Sequence, residues 1–386
     1  MRAEAGAPSL ASLCALFLRV GCTSFGGYMS MVSALQHAVV TRRGLLTDQD
    51  VLDGVTLASV LPGPVAINTV AYVGYRLRGA AGACVSVCAA VLPAFAFMVL
   101  LATLYFRWGR LPQADRLFMG IMPAVAAVVL AAGWRMCRAA VAGWREALLA
   151  AGALILLLTW PGLSATLAVV VASALIGRLW FREAGGAPAT PGARGGAGVL
   201  LATPVVLVPL FAAQAAVPVK LLAAFGGMSL LMFGGGYVSI PVLQHAVVDT
   251  YGWVTAREFA DAIALTQLTP GPVLIAAAFI GLKVGGPAGA VAATVGVFTP
   301  TAVLMVGCAH GLQRCCASGA VRSALRGVRA AGAGMVIAAA FAIGRMAAPV
   351  WLSPVLFALA LALMLRWRIE AFWVVPLCGA IGFFLL

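Results

Sequence analysis

The sequence predicts an all-α integral membrane protein made of two homologous halves, and three observations support this fold class. Only 9% of the 386 residues are charged while 63% are hydrophobic, whereas a soluble globular protein carries about 25% charged residues. The chain also repeats itself internally, and its 44 glycines and 20 prolines interrupt the apolar runs. Pieces too short to cross the hydrocarbon indicate broken or re-entrant half-helices, so we expect about 10 to 13 membrane segments.

The charge of the chain is strongly positive, with 25 Lys and Arg against 11 Asp and Glu. Because the arginines lie between apolar runs, most are interpreted as orienting loops and attracting anionic lipid, and no nucleic-acid partner is expected. The alternative is that some attract an anionic solute. The nine cysteines form no CxxC pair, and Walker A, HExxH and GxSxG motifs are absent. The sequence therefore predicts no metal, no cofactor and no enzyme.

The internal repeat is the clearest feature of the sequence. Residues 25–67 align without a gap on residues 233–275, and 18 of the 43 aligned positions are identical. This similarity defines a first repeat over 1–180 and a second repeat over 219–386. An internal duplication of this kind is typical of secondary transporters.

The connection between the repeats predicts their relative orientation. Residues 181–198 form a flexible linker rich in Gly and Pro, and 199–218 form an apolar span without a partner in the first repeat. One extra crossing inserts the second repeat upside down, which predicts inverted-topology repeats. Arginines cluster at 135–145 in the first repeat. In the second repeat they cluster at 314–329, a segment that aligns with 107–116 and not with 135–145. The arginines within 107–116 count against this topology.

A proline-glycine-proline motif stands at matching positions of the two repeats, as Pro62-Gly63-Pro64 and Pro270-Gly271-Pro272. The first proline ends the incoming helix, the glycine permits an unusual turn, and the second proline suits the first position of a new helix. That helix begins inside the membrane, where the positive end of its dipole attracts anions. The alternative is a plain proline kink, but two matching copies favour a binding site.

Two further features extend this candidate substrate site. The glycine motifs break a helix and allow close backbone approach, although packing of helices through small residues explains them equally well. They are Phe25-Gly26-Gly27 and Phe233-Gly234-Gly235. Asn68 lies on the first turns of the half-helix that follows the first PGP motif, and its counterpart is Ala276.

Other polar residues recur in both repeats. Candidates for steering an anion are the pairs Gln36-His37 and Gln244-His245 and the aligned cations Arg76 and Lys283. The alternatives are hydrogen-bonded core or interface positions for the Gln-His pairs, and charges that end a half-helix for the cations.

Two acids are candidates for coupling transport to an ion gradient. Asp53 and Asp261 each lie nine residues before a PGP motif, inside the half-helix that Thr47 or Thr255 caps. The alternative for each is an exposed first-turn acid or a partner of an arginine.

These motifs together resemble the chromate ion transporter family in its long, two-domain form. The resemblance rests on FGGGYVSIPVLQ, the GWVT helix cap and TPGPV in the second repeat, and on LPGPVAINTVAYVGYRLRG in the first. It implies a multi-pass protein of the bacterial inner membrane that exports chromate, coupled to an ion gradient, and confers chromate resistance. Sulfate is the related tetrahedral substrate. Many members have Glu where Ala38 and Ala246 stand here.

The expected function is thus secondary transport of an oxyanion by alternating access of two inverted repeats in a lipid bilayer. A passive oxyanion channel and, less favoured, a membrane-embedded enzyme are the alternatives. The sequence leaves open whether the chain forms a homodimer, and which direction and coupling ion it uses.

Overall fold

The regular structure of the chain is helical. The computed structural model describes residues 8–25, 28–108, 112–160, 162–181, 216–232, 237, 239–316, 319–345, 347 and 350–385. None of these residues lies in a β-strand, which confirms the all-α prediction. The predicted linker and most of the extra span, at 182–215, lie outside the described residues.

Within the described part of the chain, seven α-helices of the first repeat are followed by seven counterparts in the second. The first set is α1 (Leu10–Thr23), α2 (Tyr28–Gln36), α3 (Asp48–Val60), α4 (Val65–Trp108), α5 (Pro112–Ala140), α6 (Trp144–Thr159) and α7 (Leu163–Trp180). The second set is α8 (Val217–Leu231), α9 (Ser239–Gln244), α10 (Ala256–Thr266), α11 (Ala276–Cys316), α12 (Gly319–Arg345), α13 (Leu352–Arg366) and α14 (Ala371–Leu385). Both repeats place a π-helical turn after the second helix, at His37–Thr41 and His245–Thr250.

The described helices are apolar enough for a membrane. Four segments have the length and hydropathy to cross it, namely Val65–Trp108, Arg116–Ala140, Val273–Ala309 and Ser323–Arg345. Five shorter apolar helices accompany them. The chain is therefore a multi-pass membrane protein in which full spans are combined with half-length helices.

Helices α4 and α11 each consist of two arms that fold back on each other. The backbone leaves helical geometry at Arg78 and Gly79 in α4, and at Gly285 and Gly286 in α11. Gly74 contacts Gly82 across the first of these turns, although residues eight apart in a straight helix would be separated by about 12 Å. The first arm is therefore short, and the second arm runs back across the bundle.

The two repeats exchange their last helices. Helices α6 and α7 pack on α12 of the second repeat, while α13 and α14 pack on α5 of the first. Glycines allow these crossings to be close: Gly120 of α5 meets Gly382 of α14, and Gly177 of α7 meets Gly327 of α12. The repeats are therefore interlocked and bury their apolar surfaces against each other.

Candidate functional site

The first PGP motif is the tip of a re-entrant hairpin, which we call PGP hairpin 1. It consists of α3 and the first arm of α4, residues 65–77. Gly54 packs against the ring of Tyr72, and Arg76 forms a salt bridge of 2.7 Å with Asp50 at the start of α3. Because both ends of the hairpin meet at this base, the chain enters, turns at Pro62–Pro64 and leaves at the same side.

The second PGP motif is the tip of an equivalent hairpin, PGP hairpin 2. It consists of α10, a short 3₁₀ turn at Val273–Ile275 and the first arm of α11. Lys283 pairs with Glu258 at its base, in the positions that align with Arg76 and Asp50. Burial acts to raise the pKa of Glu258, but hydrogen bonds from Lys283 and Thr255 outweigh it and hold that pKa below its ordinary value.

The acids at the hairpin bases have two tasks. Asp50 accepts hydrogen bonds from the backbone N–H and hydroxyl of Thr47, while Thr47 Oγ1 accepts from the Asp50 N–H. Thr255 and Glu258 form the same reciprocal cap, which confirms the predicted N-caps. Each acid therefore caps the incoming half-helix and also binds the cation on the returning one.

In each repeat, the two helices that flank the glycine motif meet at a common base. In the first repeat, Arg43 follows the π-helical turn and donates to Ser12 Oγ, at the start of α1, over 2.8 Å. At the aligned positions of the second repeat, Lys220 lies 6.0 Å from the ring centroid of Tyr251. Helices α1 and α2 therefore return to one base, as do α8 and α9.

The two PGP hairpins enter the bundle from opposite ends. The second arm of α4 begins at the base of PGP hairpin 1. Midway along this arm, Ala94 lies beside Gly271 at the tip of PGP hairpin 2. Near its far end, the Tyr105 hydroxyl donates to Asp261 over 2.7 Å, one turn from the base residue Glu258. The described helices are thus arranged as inverted repeats, with the hairpins tip to tip.

At the centre, each PGP tip is hydrogen-bonded to the other repeat. The Gly63 N–H donates to the Met232 carbonyl over 2.5 Å, and the Gly271 N–H donates to the Ser24 carbonyl over 2.9 Å. Ser24 and Met232 directly precede the two glycine motifs. The glycines Gly26, Gly27, Gly234 and Gly235, together with Phe233, lie outside the described residues. Phe25 packs its ring 4.4 Å from that of Phe372 on α14.

Only glycine suits the tip positions. Gly63 has a φ of +101° and Gly271 a φ of +124°, values that a residue with a Cβ rarely adopts. A Cβ on Gly63 would lie 2.5 Å from Thr301 Cγ2, whereas one on Gly271 would lie 3.0 Å from Ala94 Cβ. Thr301 and Ala94 occupy aligned positions, each one residue after the proline in the second arm of its helix.

The tips carry different polar groups. Asn68 is completely buried, and its Nδ2 donates to the Pro62 carbonyl over 2.9 Å, which holds the first tip closed. Near the second tip, Gln267 Oε1 accepts from the Tyr237 hydroxyl over 3.2 Å, and Gln267 Nε2 donates to Thr266. The motifs shared by the two repeats do not include this second network, because TQLT of the second copy replaces the less polar ASVL of the first.

The steering candidates lie away from the tips in this conformation. Arg76 and Lys283 are paired at the hairpin bases, about 18 Å along the half-helix from the tip. Gln36 Nε2 donates to Asp48 at the start of α3 over 2.5 Å, and His37 is exposed.

The second Gln-His pair has a similar position. His245 Nδ1 lies 2.9 Å from Asp249 Oδ2 within the second π-helical turn, and Gln244 is half-buried. The described contacts therefore connect neither Gln-His pair with a PGP tip.

The two coupling candidates differ in environment. Asp53 is half-exposed and accepts a hydrogen bond from Gln49 of its own helix over 2.8 Å. Asp261 is only 1% exposed and accepts from Tyr105 of the other repeat. Tyr105 is not among the predicted site residues, because Leu312 occupies the aligned position and the repeats share no motif there.

Two homologous membrane repeats, interlocked and with opposed re-entrant hairpins, define a multi-pass transporter built on an internal duplication. The chain belongs to the chromate transporter family, which matches residues 11–178 and 219–383. This confirms the resemblance predicted from the motifs. The chain is accordingly a transport protein and not an enzyme.

Individual relatives agree over most of the chain. The probable chromate transport protein of Synechococcus elongatus is 28% identical over 87% of this chain and 85% of its own length. The chromate transport protein of Cupriavidus metallidurans is 27% identical over 87% and 83%, respectively. That of Pseudomonas aeruginosa is 32% identical over 76% and 71%. No solved structure matches this chain.

Proposed function

We propose that the chain transports a tetrahedral oxyanion across the bacterial inner membrane, with chromate as the principal substrate and sulfate as a related one. The substrate binds where the PGP tips of the two repeats meet, beside Ser24 and Met232. The names of the relatives support chromate, and the resemblance to the family supports export and resistance.

The exchanged hydrogen bonds at the tips are the observation that carries this proposal. Gly63 and Gly271 each direct an N–H group at a backbone carbonyl of the other repeat. A chromate oxygen is an acceptor of the same kind and carries more negative charge, so it can replace Met232 O and Ser24 O. The first N–H groups of the outgoing half-helices also lack intrahelical acceptors and favour an anion. Binding of the anion therefore breaks the link between the repeats.

Burial of the tips supports alternating access over an open channel. Residues 61–74 and 269–281 are buried throughout, so this conformation has both tips closed. Because the PGP hairpins enter from opposite ends, movement of one hairpin exposes the site to one side of the membrane only. Anion binding releases the tips, and the hairpins then open in turn.

Uptake of radiolabelled chromate into proteoliposomes tests the proposal. We expect saturable chromate flux that excess sulfate inhibits. In Gly271→Ala we expect the flux to fall at least tenfold, because the substitution disturbs the tip geometry while causing a milder clash than Gly63→Ala would. Gly44→Ala is the matched control, because Gly44 also has a positive φ of +58° but no neighbour within 4 Å.

Two results would contradict the proposal. Unchanged flux in Gly271→Ala would exclude the tips as the site, and flux that rises linearly with chromate concentration would favour a channel.

A further inference from the structure

A partly buried hydrogen bond between the repeats lies at the base of PGP hairpin 2. The Tyr105 hydroxyl, on the second arm of α4, donates to Asp261 Oδ2 on α10 over 2.7 Å. The pair is enclosed by aromatic rings, with Phe118 and Phe279 at 5.3 and 5.2 Å from the ring centroid of Tyr105. An ionised carboxylate is costly in such surroundings unless it is hydrogen-bonded. Tyr105 supplies that hydrogen bond from the other repeat.

Asp261 lies close to the solvent-exposed base of the hairpin. Arg257 lies one turn before Asp261, with its Nε 4.0 Å from Asp261 Oδ2, and its side chain is 60% exposed. Glu258 faces the same region but is bound to Lys283 of α11. Among the described side chains, the charged or titratable groups around Asp261 are therefore Tyr105, Arg257, Glu258 and Lys283. Asp261 is thus a buried acid one helical turn from an exposed residue.

Of the side chains that the structure describes, those at the base of PGP hairpin 1 form no equivalent pair. The aligned acid, Asp53, is half-exposed and bonded to Gln49 of its own helix. The residue aligned with Tyr105 is Leu312, which has no hydroxyl. The two hairpin bases are therefore chemically unequal, although their caps and base salt bridges are alike.

We propose that Asp261, and not Asp53, binds the coupling proton, and that Tyr105 is the residue that positions it. The inference rests on the proposed transport function and names the coupling ion of that same site. A hydrogen bond to a carboxylate is roughly twice as strong as one between neutral groups. When a proton adds to Asp261, the bond from Tyr105 becomes a neutral one and weakens. Hairpin 2 is then released from α4 at its base, while the carboxyl keeps the proton.

Chromate flux in proteoliposomes, measured with and without an imposed pH gradient, tests this assignment. In the wild type we expect the gradient to raise the flux several-fold. Asp261→Asn should lose this stimulation and retain chromate exchange without a gradient. Asp53→Asn is the matched control and should respond like the wild type, and Asp261→Glu should retain the response.

Tyr105→Phe separates a positioning role from a structural one. The hydroxyl stabilises the ionised form of Asp261, so its removal makes protonation easier. The midpoint of the flux against pH should therefore move to higher pH, while the response to the gradient persists. A merely structural role would lower the flux without moving the midpoint.

Several outcomes would overturn the assignment. These are a gradient response that survives in Asp261→Asn, one that disappears in Asp53→Asn, or chromate flux in the wild type that ignores the gradient. The last result leaves the transport proposal intact. Absence of any flux in the wild type would reject transport and this inference together. If Asp261→Asn does not fold, an unshifted pH midpoint in Tyr105→Phe overturns it.

Discussion

Gly63 and Gly271 have positive φ values and lie against Thr301 and Ala94 of the other repeat, so each PGP tip requires glycine. Motifs shared by both copies led directly to Gly63 and Gly271, since a duplication preserves what both halves need. A search for motifs shared by the two copies does not find residues that differ between them. Tyr105 and Gln267 are two such residues, because their importance depends on which part of the other repeat they meet. Contacts between sequence-distant helices follow from packing and not from local pattern.

Substitutions at the two tip glycines should differ in their effect on stability. Both force a residue with a Cβ into an unfavourable φ, but Gly63→Ala also drives its Cβ into Thr301. We expect Gly63→Ala to destabilise the protein by about 1–3 kcal/mol more than Gly271→Ala, the usual cost of overpacking. Thermal unfolding in detergent measures the difference. Equal effects would show that Thr301 moves aside at no cost.

At the level of the elements, the starts of the half-helices were predictable, but the salt bridges that join the two ends of each PGP hairpin were not. Thr47 and Thr255 stand three residues before an acid, which is a local signal for a helix start. The pairing of Asp50 with Arg76 crosses 26 residues and depends on the angle of the turn at the PGP tip. That angle is set by how the tip packs against the other repeat, so it follows from the assembled bundle.

The base salt bridge of PGP hairpin 2 should contribute to stability only while Glu258 is ionised. Lys283→Met is expected to cost about 1 kcal/mol at neutral pH. The folded-state pKa of Glu258 is lowered, so this contribution is present above the ordinary glutamate pKa of about 4.3. It disappears as the pH falls through the lower folded-state value. Thermal unfolding of both proteins between neutral and acidic pH measures this.

Lys220→Met provides the control for this prediction. Lys220 contacts the ring of Tyr251 and pairs with no described carboxylate, so its effect should not change in the acidic range. If the difference in stability between wild type and Lys283→Met persists at acidic pH, the pairing of Lys283 with Glu258 is contradicted.

For the whole molecule, the extra crossing and the arginine distribution predict opposed repeats, and the described contacts place the two PGP hairpins at opposite ends of the bundle. The tip-to-tip meeting of the hairpins was not predictable, because no sequence signal links Gly63 to Met232 or Gly271 to Ser24. The exchange of the last helices between the two repeats was not predictable either. Each of these contacts joins residues in different repeats, and their register is fixed only when the repeats pack.

The bases of the two PGP hairpins should be accessible from opposite sides of the membrane. Gln49 and Arg257 occupy aligned positions and are both exposed. In a variant whose native cysteines are replaced, we expect Gln49→Cys and Arg257→Cys to react with an impermeant maleimide from different sides. Labelling of intact and permeabilised cells distinguishes the sides. Reaction of both from the same side would rule out the inverted arrangement.

The exchanged helices also constrain how the protein is made. Because α6 and α7 pack on α12, the first repeat leaves the ribosome with two helices whose proper neighbour has not yet been synthesised. Until the chain has been synthesised as far as Arg345, lipid covers the surface of these helices that later packs on α12. During translation, the first repeat is therefore an incompletely packed intermediate, and lipid solvates the helices whose protein partner is not yet present.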